Sequence, residues 1–178
     1  MQIKVLIANI DKMELILMKK KKLYIMCGIP GSGKTTWAKN HVQEGEGYIS
    51  RDEIRLKLLQ DGDPYFKHED RAYTYFCQDI IKQLELYSTV YVDATHITKK
   101  SRKRLITTLT SMGINFENID LIIIFIKKDL KTCLKQNLQR VGRARVPEQT
   151  LIQMYKFFEM PTIEEGFKEI IEVGDKNE

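Results

Sequence analysis

The stretch Gly28-Ile29-Pro30-Gly31-Ser32-Gly33-Lys34-Thr35 decides the fold of this 178-residue chain. It fits the pattern G-x-x-x-x-G-K-[ST], in which successive backbone N–H groups turn inward and form a cradle for phosphate oxygens. A Cβ atom would block that backbone conformation, which explains the three glycines. A short apolar run at 23–27 precedes the motif, and a helical pattern begins at Thr35. This context, a buried strand followed by a helix, predicts a P-loop that binds nucleotide phosphates.

Each part of the predicted P-loop has a chemical role. Lys34 supplies a mobile positive charge to the β- and γ-phosphates, and the hydroxyl of Thr35 is a ligand for Mg²⁺. The N-terminal dipole of the following helix adds to anion binding. We therefore expect ATP and Mg²⁺ to be bound here, by Gly28, Gly31, Ser32, Gly33, Lys34, Thr35 and Thr36.

Strands and helices alternate through the rest of the chain. Short apolar runs predict strands at 23–27, 48–50, 89–92, 121–126 and 167–173. Helical spacing and its boundary residues predict helices at 35–42, 52–59, 68–86, 98–112, 130–141 and 147–158. Such alternation favours a parallel sheet with helices on both faces, so the predicted fold is that of an α/β P-loop NTPase.

A second group of polar residues follows the predicted strand at 48–50. Asp52 is expected at the carboxyl end of the sheet, where ligands bind in such folds. There it can accept a proton from a substrate hydroxyl while Arg55, one helical turn on, holds an acceptor anion. The alternative makes Asp52 an ordinary residue of a helix's first turn and Arg55 a solvated charge. Spacing alone does not decide between these two interpretations.

The strand at 89–92 is followed by an aspartate, Asp93. This is the position of a Walker-B-type carboxylate, which holds Mg²⁺ directly or through water. We therefore predict Thr35 and Asp93 as the metal residues. We interpret His96 as a loop residue rather than a base. His41 and His68 have no partners at metal-ligand spacing, so no metal beyond Mg²⁺ is predicted.

Arginines cluster between the last two predicted helices. Arg140, Arg143 and Arg145 lie within six residues, and Gly142 gives the segment flexibility. Arginines so placed can close over donor phosphates as a lid and stabilise charge in the transition state. A solvated basic loop is the alternative, although three guanidinium groups so close together repel one another without an anion. A further cluster, Arg102-Lys103-Arg104, is either a solvated helix face or a contact surface for an anionic partner.

Composition narrows the class of protein. A hydrophobic content of 43% and a charged content of 30% are those of a soluble globular protein. No apolar run reaches the roughly 20 residues of a membrane helix. Cys27, Cys77 and Cys133 form no paired spacing, so we expect reduced thiols and a cytoplasmic location. The net charge of +5 agrees with a polyanionic partner without requiring one. Residues 1–22 are predicted to be an N-terminal extension, and residues 23–178 a single P-loop domain.

These motifs together resemble the polynucleotide 5′-hydroxyl kinases and the wider group of P-loop kinases around them. The P-loop, continued through Thr36-Trp37-Ala38, is similar to that of the phage members, and Ser50-Arg51-Asp52-Glu53-Ile54-Arg55 is similar to their Asn-Arg-Asp segment with its following arginine. Asp93-Ala94-Thr95-His96 resembles the Asp-x-Thr-Asn motif of the animal members, and 158–167 resembles their tail. The resemblance runs from about residue 23 to residue 173.

The resemblance implies a kinase-type fold and transfer of the γ-phosphate of ATP to the 5′-hydroxyl of DNA or RNA. In that family the aspartate matching Asp52 is the general base, the arginine matching Arg55 holds acceptor phosphate, and a lid arginine matching Arg140 engages the donor. Ser50 and His96 stand where the family has asparagines, both near the acceptor. A small-molecule acceptor such as a nucleoside, sugar or antibiotic therefore stays open, as does an ATP-binding regulatory protein with little turnover.

Overall fold

A parallel five-stranded sheet in the order β2-β3-β1-β4-β5 is the centre of the fold. The computed structural model describes residues 20–174 and, within them, every side chain except that of Arg143. The strands are β1 (Lys21–Cys27), β2 (Gly47–Ser50), β3 (Thr89–Asp93), β4 (Ile119–Ile126) and β5 (Glu169–Val173). All five run the same way, which confirms the predicted parallel sheet.

Helices connect the strands in the predicted alternation. Within the described residues they are α1 (Lys34–His41), α2 (Arg51–Leu58), α3 (Glu69–Leu86), α4 (Lys99–Ser111), α5 (Leu130–Leu138) and α6 (Glu148–Lys156). Side-chain caps begin three of them: Ser50 accepts a hydrogen bond from the Glu53 N–H at α2, Thr98 forms a capping box at α4, and Asp129 caps α5.

Two hydrophobic clusters cover the two faces of the sheet. Alternate residues of β1 and β4 point to opposite faces, as the period of a strand requires. On one face Leu23 and Ile123 pack with Phe76 of α3 and Leu105 of α4. On the other face the cluster comprises Met26, Ala38, Ile122, Ile124 and Ile126, with Trp37 against it. Helices therefore lie on both faces, as predicted, and the apolar stripe of α3 is core.

Several element boundaries differ from the prediction, among them the start of β1 and the end of α5. β1 begins at Lys21, so Lys21 and Lys22 pair with β4 inside the predicted extension. Residues 1–19 of that extension lie outside the described residues. The helix predicted at 130–141 ends at Leu138, where the chain turns into a 3₁₀ segment at Gly142–Ala144.

The carboxyl ends of β1, β2 and β3 lie side by side because these strands are neighbours in one parallel sheet. The phosphate loop follows β1, α2 begins directly after β2, and Asp93 ends β3. Ligands of open α/β sheets bind at this edge. None of the helices among residues 20–174 is long and apolar enough to cross a membrane.

Candidate active site

The phosphate loop adopts a backbone that requires glycine at two positions. Gly31 has φ +81°, and a Cβ there would lie 2.3 Å from the carbonyl oxygen of Cys133 in α5. Gly33 has φ +97° and stands immediately before α1. Both angles lie in the left-handed region that favours glycine. The motif therefore fixes the loop conformation and its close approach to α5.

Lys34 and Ser32 direct buried polar groups into the loop. Lys34 is 7% exposed, and its Nζ donates a hydrogen bond to the carbonyl oxygen of Ile29 at 2.8 Å. Burial lowers the pKa of Lys34, while the nearby Asp93 carboxylate opposes that change. Ser32 is also buried, and within the described residues its hydroxyl has no hydrogen-bond partner. A phosphate oxygen in the loop fits both groups, because it accepts from the hydroxyl and neutralises the ammonium.

Thr35 and Asp93 lie together, as the sequence predicted. The Thr35 hydroxyl donates to Asp93 Oδ2 at 2.6 Å, and the Tyr48 hydroxyl donates to the same oxygen at 2.8 Å. Burial and the Asp93 carboxylate raise the pKa of Tyr48, so Tyr48 stays a donor. The carboxylate and hydroxyl oxygens are hard ligands of the kind that Mg²⁺ prefers. The pair therefore fits a magnesium ion bound with the donor phosphates.

Arg55 is buried among acidic side chains. It is 5% exposed, forms an ion pair with Asp52, and donates from Nε to Glu69 Oε2 at 2.7 Å. Burial opposes its charged form, but the hydrogen bonds to Glu69 and the nearby carboxylates raise the pKa of Arg55 overall. The interpretation of Arg55 as a solvated charge is therefore wrong. Asp52 lies in the first turn of α2, as predicted, with a side chain that is 67% exposed.

Two aromatic residues complete the cluster around Arg55. The Tyr65 hydroxyl donates to Asp52 Oδ1 at 3.0 Å and accepts from Arg55 Nη1 at 3.0 Å. The Arg55 guanidinium carbon lies 4.8 Å from the ring centroid of Tyr65 and 5.3 Å from that of Phe66. Both aromatic residues belong to the segment at 59–68 between α2 and α3. The sequence predicted no functional residue in this segment.

One cavity of 490 Å³ joins the phosphate loop to the Asp52 cluster. It brings together all four predicted catalytic side chains, which come from widely separated parts of the chain. Its lining includes Lys34, Thr35, Asp52, Arg55, Asp93, Arg140 and Arg145, together with Arg51, Tyr65, Phe66 and Glu69.

The predicted lid segment borders this cavity. Arg140 and Arg145 line it, and Arg140 Nη1 contacts the carbonyl oxygen of Ala144 at 3.4 Å. The segment therefore lies beside both Lys34 and Asp52. The side chain of Arg143, predicted to contact the donor, lies outside the described part of the chain.

His96 and Arg102 are both buried. His96 lies in the loop after β3, as predicted, but is buried at φ +42°, with Nδ1 3.0 Å from the carbonyl oxygen of Met26. Burial lowers the pKa of His96 to about 4. Arg102 is 0% exposed and forms two 2.7 Å hydrogen bonds to the Glu165 carboxylate. Both interpretations of Arg102, solvated face and contact surface, are therefore wrong: it is a structural residue.

Two residues beside Arg55, Glu69 and Arg51, were not predicted from the sequence as parts of the site. Glu69, in the first turn of α3, accepts hydrogen bonds from both Arg51 and Arg55. Arg51 also lies over the Tyr73 ring, 4.8 Å from its centroid. An acidic residue at a helix start is so common that Glu69 gave no distinct signal.

The family model described as the AAA domain matches residues 23–161. The chain belongs to this family. The match begins within β1 and includes every residue that lines the 490 Å³ cavity. The AAA domain of this chain is thus the part that carries the candidate site.

One relative that is similar in sequence is a viral protein. The chain is 26% identical over 174 residues to a bifunctional polynucleotide kinase/RNA ligase of Autographa californica nuclear polyhedrosis virus, covering 90% of this chain and 24% of the viral protein. The chain therefore spans about a quarter of the length of this relative. This similarity confirms the resemblance to polynucleotide kinases.

Solved structures are similar in fold. A fungal RNA kinase superposes with a TM-score of 0.60 at 14% identity, covering 88% of this chain and 78% of that protein. A gluconokinase of Sinorhizobium meliloti 1021 gives a TM-score of 0.56 at 14% identity, covering 90% and 85%. The fold is therefore that of P-loop kinases.

Proposed function

We propose that this chain transfers the γ-phosphate of ATP to the 5′-hydroxyl of a DNA or RNA strand. The observation that carries the proposal is the single 490 Å³ cavity in which a phosphate loop with Lys34 and Thr35 faces an exposed carboxylate, Asp52. Donor and acceptor groups must meet in line for phosphoryl transfer, and one cavity with a phosphate cradle and a proton acceptor allows this.

The donor side has room for the rest of ATP. A second cavity, of 340 Å³, is lined by other residues of the same segment, including Ser32, Gly33 and Thr36. The phosphate loop and the start of α1 thus border two cavities. We assign the second one to the nucleoside end of ATP and the first to the γ-phosphate and the acceptor.

The acceptor hydroxyl loses its proton to Asp52 as its oxygen attacks the γ-phosphorus, and the bond from that phosphorus to the β–γ bridging oxygen breaks so that ADP leaves. The hydrogen bonds from Arg55 and Tyr65 both reach Oδ1 of Asp52 and orient the carboxylate, so we assign proton acceptance to Oδ2. Lys34 and Arg140 stabilise the negative charge on the transferring group. Arg55 is already neutralised by two carboxylates, and we assign it to positioning Asp52 as well as to holding acceptor phosphate.

Thr35 and Asp93 are the residues that we assign to magnesium. Thr35 and Asp93 would hold Mg²⁺, directly or through water, and the ion would neutralise charge on the β- and γ-phosphates. Tyr48 keeps Asp93 oriented through its 2.8 Å hydrogen bond. We assign the kinase domain to the chain from Lys21 onward, because Lys21 and Lys22 belong to β1, and residues 1–20 to an extension. The buried, free cysteines among the described residues suit a reducing compartment such as the cytoplasm.

The acceptor class is supported by similarity to the viral polynucleotide kinase/RNA ligase and by the fungal RNA kinase fold. A small-molecule acceptor is the second candidate, and the fold shared with a gluconokinase favours it.

Phosphoryl transfer from labelled ATP to a panel of acceptors tests the proposal. The panel comprises 5′-hydroxyl DNA and RNA oligonucleotides, nucleosides, sugars and aminoglycosides. We expect transfer to a 5′-hydroxyl end, and none with Lys34→Ala. Asp52→Asn should lower kcat about 10²–10⁴-fold, because it keeps the shape but removes the proton acceptor, with ATP affinity nearly unchanged.

Asp61→Asn is the matched control, because Asp61 is an exposed aspartate outside the cavity. It should keep full activity. Transfer only to a sugar or nucleoside would replace the polynucleotide assignment by the small-molecule one. Loss of ATP affinity in step with activity in Asp52→Asn would remove Asp52 from the role of base.

A further inference from the structure

An exposed aromatic ring lines the acceptor end of the cavity. Phe66 is 61% exposed, yet it is one of the lining residues of the 490 Å³ cavity beside Asp52 and Arg55. A large aromatic ring in contact with water inside a cleft forgoes the free energy that burial would supply. A ligand with a flat apolar face recovers it. The position of Phe66 therefore indicates a binding surface within the cavity.

Neighbouring side chains and a hydrogen-bonded turn restrain the Phe66 ring. Tyr65 packs edge-on against it with ring centroids 4.8 Å apart, and the Arg55 guanidinium lies over it at 5.3 Å. The segment that carries the ring is closed on itself: Asp63 accepts hydrogen bonds from Lys67 at 2.8 Å and from the Gln60 N–H at 3.1 Å. A restrained ring loses little conformational entropy on stacking, which makes it an effective platform.

The platform belongs to the acceptor end of the cavity rather than to the donor end. Arg55 contacts both the Phe66 ring and the Asp52 carboxylate, so a single side chain separates the platform from the group that takes the acceptor proton. A molecule whose hydroxyl lies at Asp52 therefore has its neighbouring groups within reach of Phe66.

We propose that Phe66 stacks on the base of the 5′-terminal nucleotide, the nucleotide that carries the acceptor hydroxyl. This inference rests on the proposed function and adds the subsite that selects a nucleotide over a plain polyol. Every base has a π-face, so stacking supplies affinity without preference for sequence. Phe66 is accordingly a specificity-determining residue that binds substrate and takes no part in proton transfer.

The test compares two acceptors that differ only in the base. One is a 5′-hydroxyl oligonucleotide, and the other has the same sequence with an abasic 5′-terminal residue. Phe66→Ala should raise KM for the base-bearing acceptor about 5- to 100-fold, the loss expected for one base–aromatic stack. The kcat of the variant on the base-bearing acceptor should stay within about twofold of the wild-type value. On the abasic acceptor the variant and the wild type should have the same kcat/KM, because without a base neither protein can form the stack.

Two further variants make the comparison specific. Phe66→Trp keeps a stacking face and should retain a low KM for the base-bearing acceptor. Phe157→Ala removes a ring of similar exposure, 66%, that does not line the cavity, and it should behave as wild type. Thermal melting with and without ATP reports folding and donor binding for each variant.

Each outcome separates this inference from the proposed function. Suppose that the wild type phosphorylates both oligonucleotides. If Phe66→Ala then loses activity equally on both acceptors, or keeps full activity on both, the base-stacking assignment is wrong while the kinase assignment stands. A wild type that phosphorylates no oligonucleotide overturns both. A loss confined to the base-bearing acceptor supports the subsite.

Discussion

Asp93 connects the sheet to the proposed magnesium site. It ends β3, where its carboxylate takes hydrogen bonds from Thr35 of α1 and Tyr48 of β2. Three neighbouring elements are thereby tied together at the point where Mg²⁺ is proposed to bind. A carboxylate with two donors on one oxygen keeps its orientation, which a metal ligand requires.

His96 makes stability depend on pH. Its folded-state pKa of about 4 lies below the value of 6.5 that it has in an unfolded chain, because burial disfavours the charged ring. Between those values the unfolded chain binds a proton that the folded chain does not, so stability is complete above pH 6.5 and is lost as pH falls. We predict that the free energy of unfolding drops by about 2 kcal/mol between pH 7 and pH 5 from this residue alone.

The matched variant is His96→Asn, which introduces the residue that the resembling family carries. Asparagine tolerates the left-handed backbone at φ +42° and has no titrating group. Urea unfolding at pH 7, 6 and 5 should give a steeper loss for the wild type than for the variant. His41 and His68 are present in both proteins and cancel. Equal pH slopes would mean that His96 is solvated in the native state.

At the scale of elements, α4 is anchored to the chain that precedes β5 by Arg102. Its guanidinium binds Glu165 through two hydrogen bonds and also donates to the carbonyl oxygens of His96 and Glu159. The loop after β3, helix α4 and the 3₁₀ turn at Ile163–Glu165 thus meet at one buried cation.

Arg102→Met should destabilise the protein by about 3–5 kcal/mol, because it leaves the buried Glu165 carboxylate without its partner. The double variant Arg102→Met/Glu165→Met should recover part of that loss, since the unpaired charge is gone. Lys103→Met, an exposed neighbour on the same helix, should change stability by less than about 0.5 kcal/mol. Denaturant unfolding measures all three. A single variant as stable as Lys103→Met would show that the ion pair is not buried in solution.

At the scale of the whole molecule, positive charge continues from the cavity onto the surface. Arg51 lines the cavity and lies 4.8 Å from the Tyr73 ring centroid, and Arg104 of α4 lies 4.2 Å from the same centroid. The Tyr73 ring thus joins a cation in the site to one outside it. This gives a direction in which a strand longer than one nucleotide can leave the cavity.

Salt dependence tests that path. KM for a 5′-hydroxyl ten-mer should rise steeply with KCl, by a logarithmic slope of roughly 0.7 per phosphate contacted, while KM for ATP rises less. Arg104→Ala should reduce the ten-mer slope by about one contact and leave the slope for a dinucleotide unchanged. Lys135→Ala, an exposed cation of α5 that lines none of the cavities described, is the control and should leave both slopes unchanged. Equal slopes for the ten-mer and the dinucleotide would mean that only the terminal nucleotides are bound.

The sequence by itself determined the fold class, the phosphate loop and the proximity of Thr35 to Asp93. These depend on local patterns: apolar runs define the strands, a glycine-rich motif fixes its own backbone, and parallel strands bring their carboxyl ends to one edge. Each feature needs only neighbouring residues or one rule of topology. The position of Asp52 at the start of α2 followed in the same way.

Only the tertiary structure decided which charged residues are buried and which residues they pair with. Arg55 and Arg102 are buried because Glu69 and Glu165, 14 and 63 residues further along the chain, compensate their charge. Burial of a cation depends on such a partner, and spacing along the sequence carries no information about a partner so distant. The placement of Phe66 in the cavity likewise depends on how the segment at 59–68 packs against Arg55, a tertiary contact that local propensity does not predict.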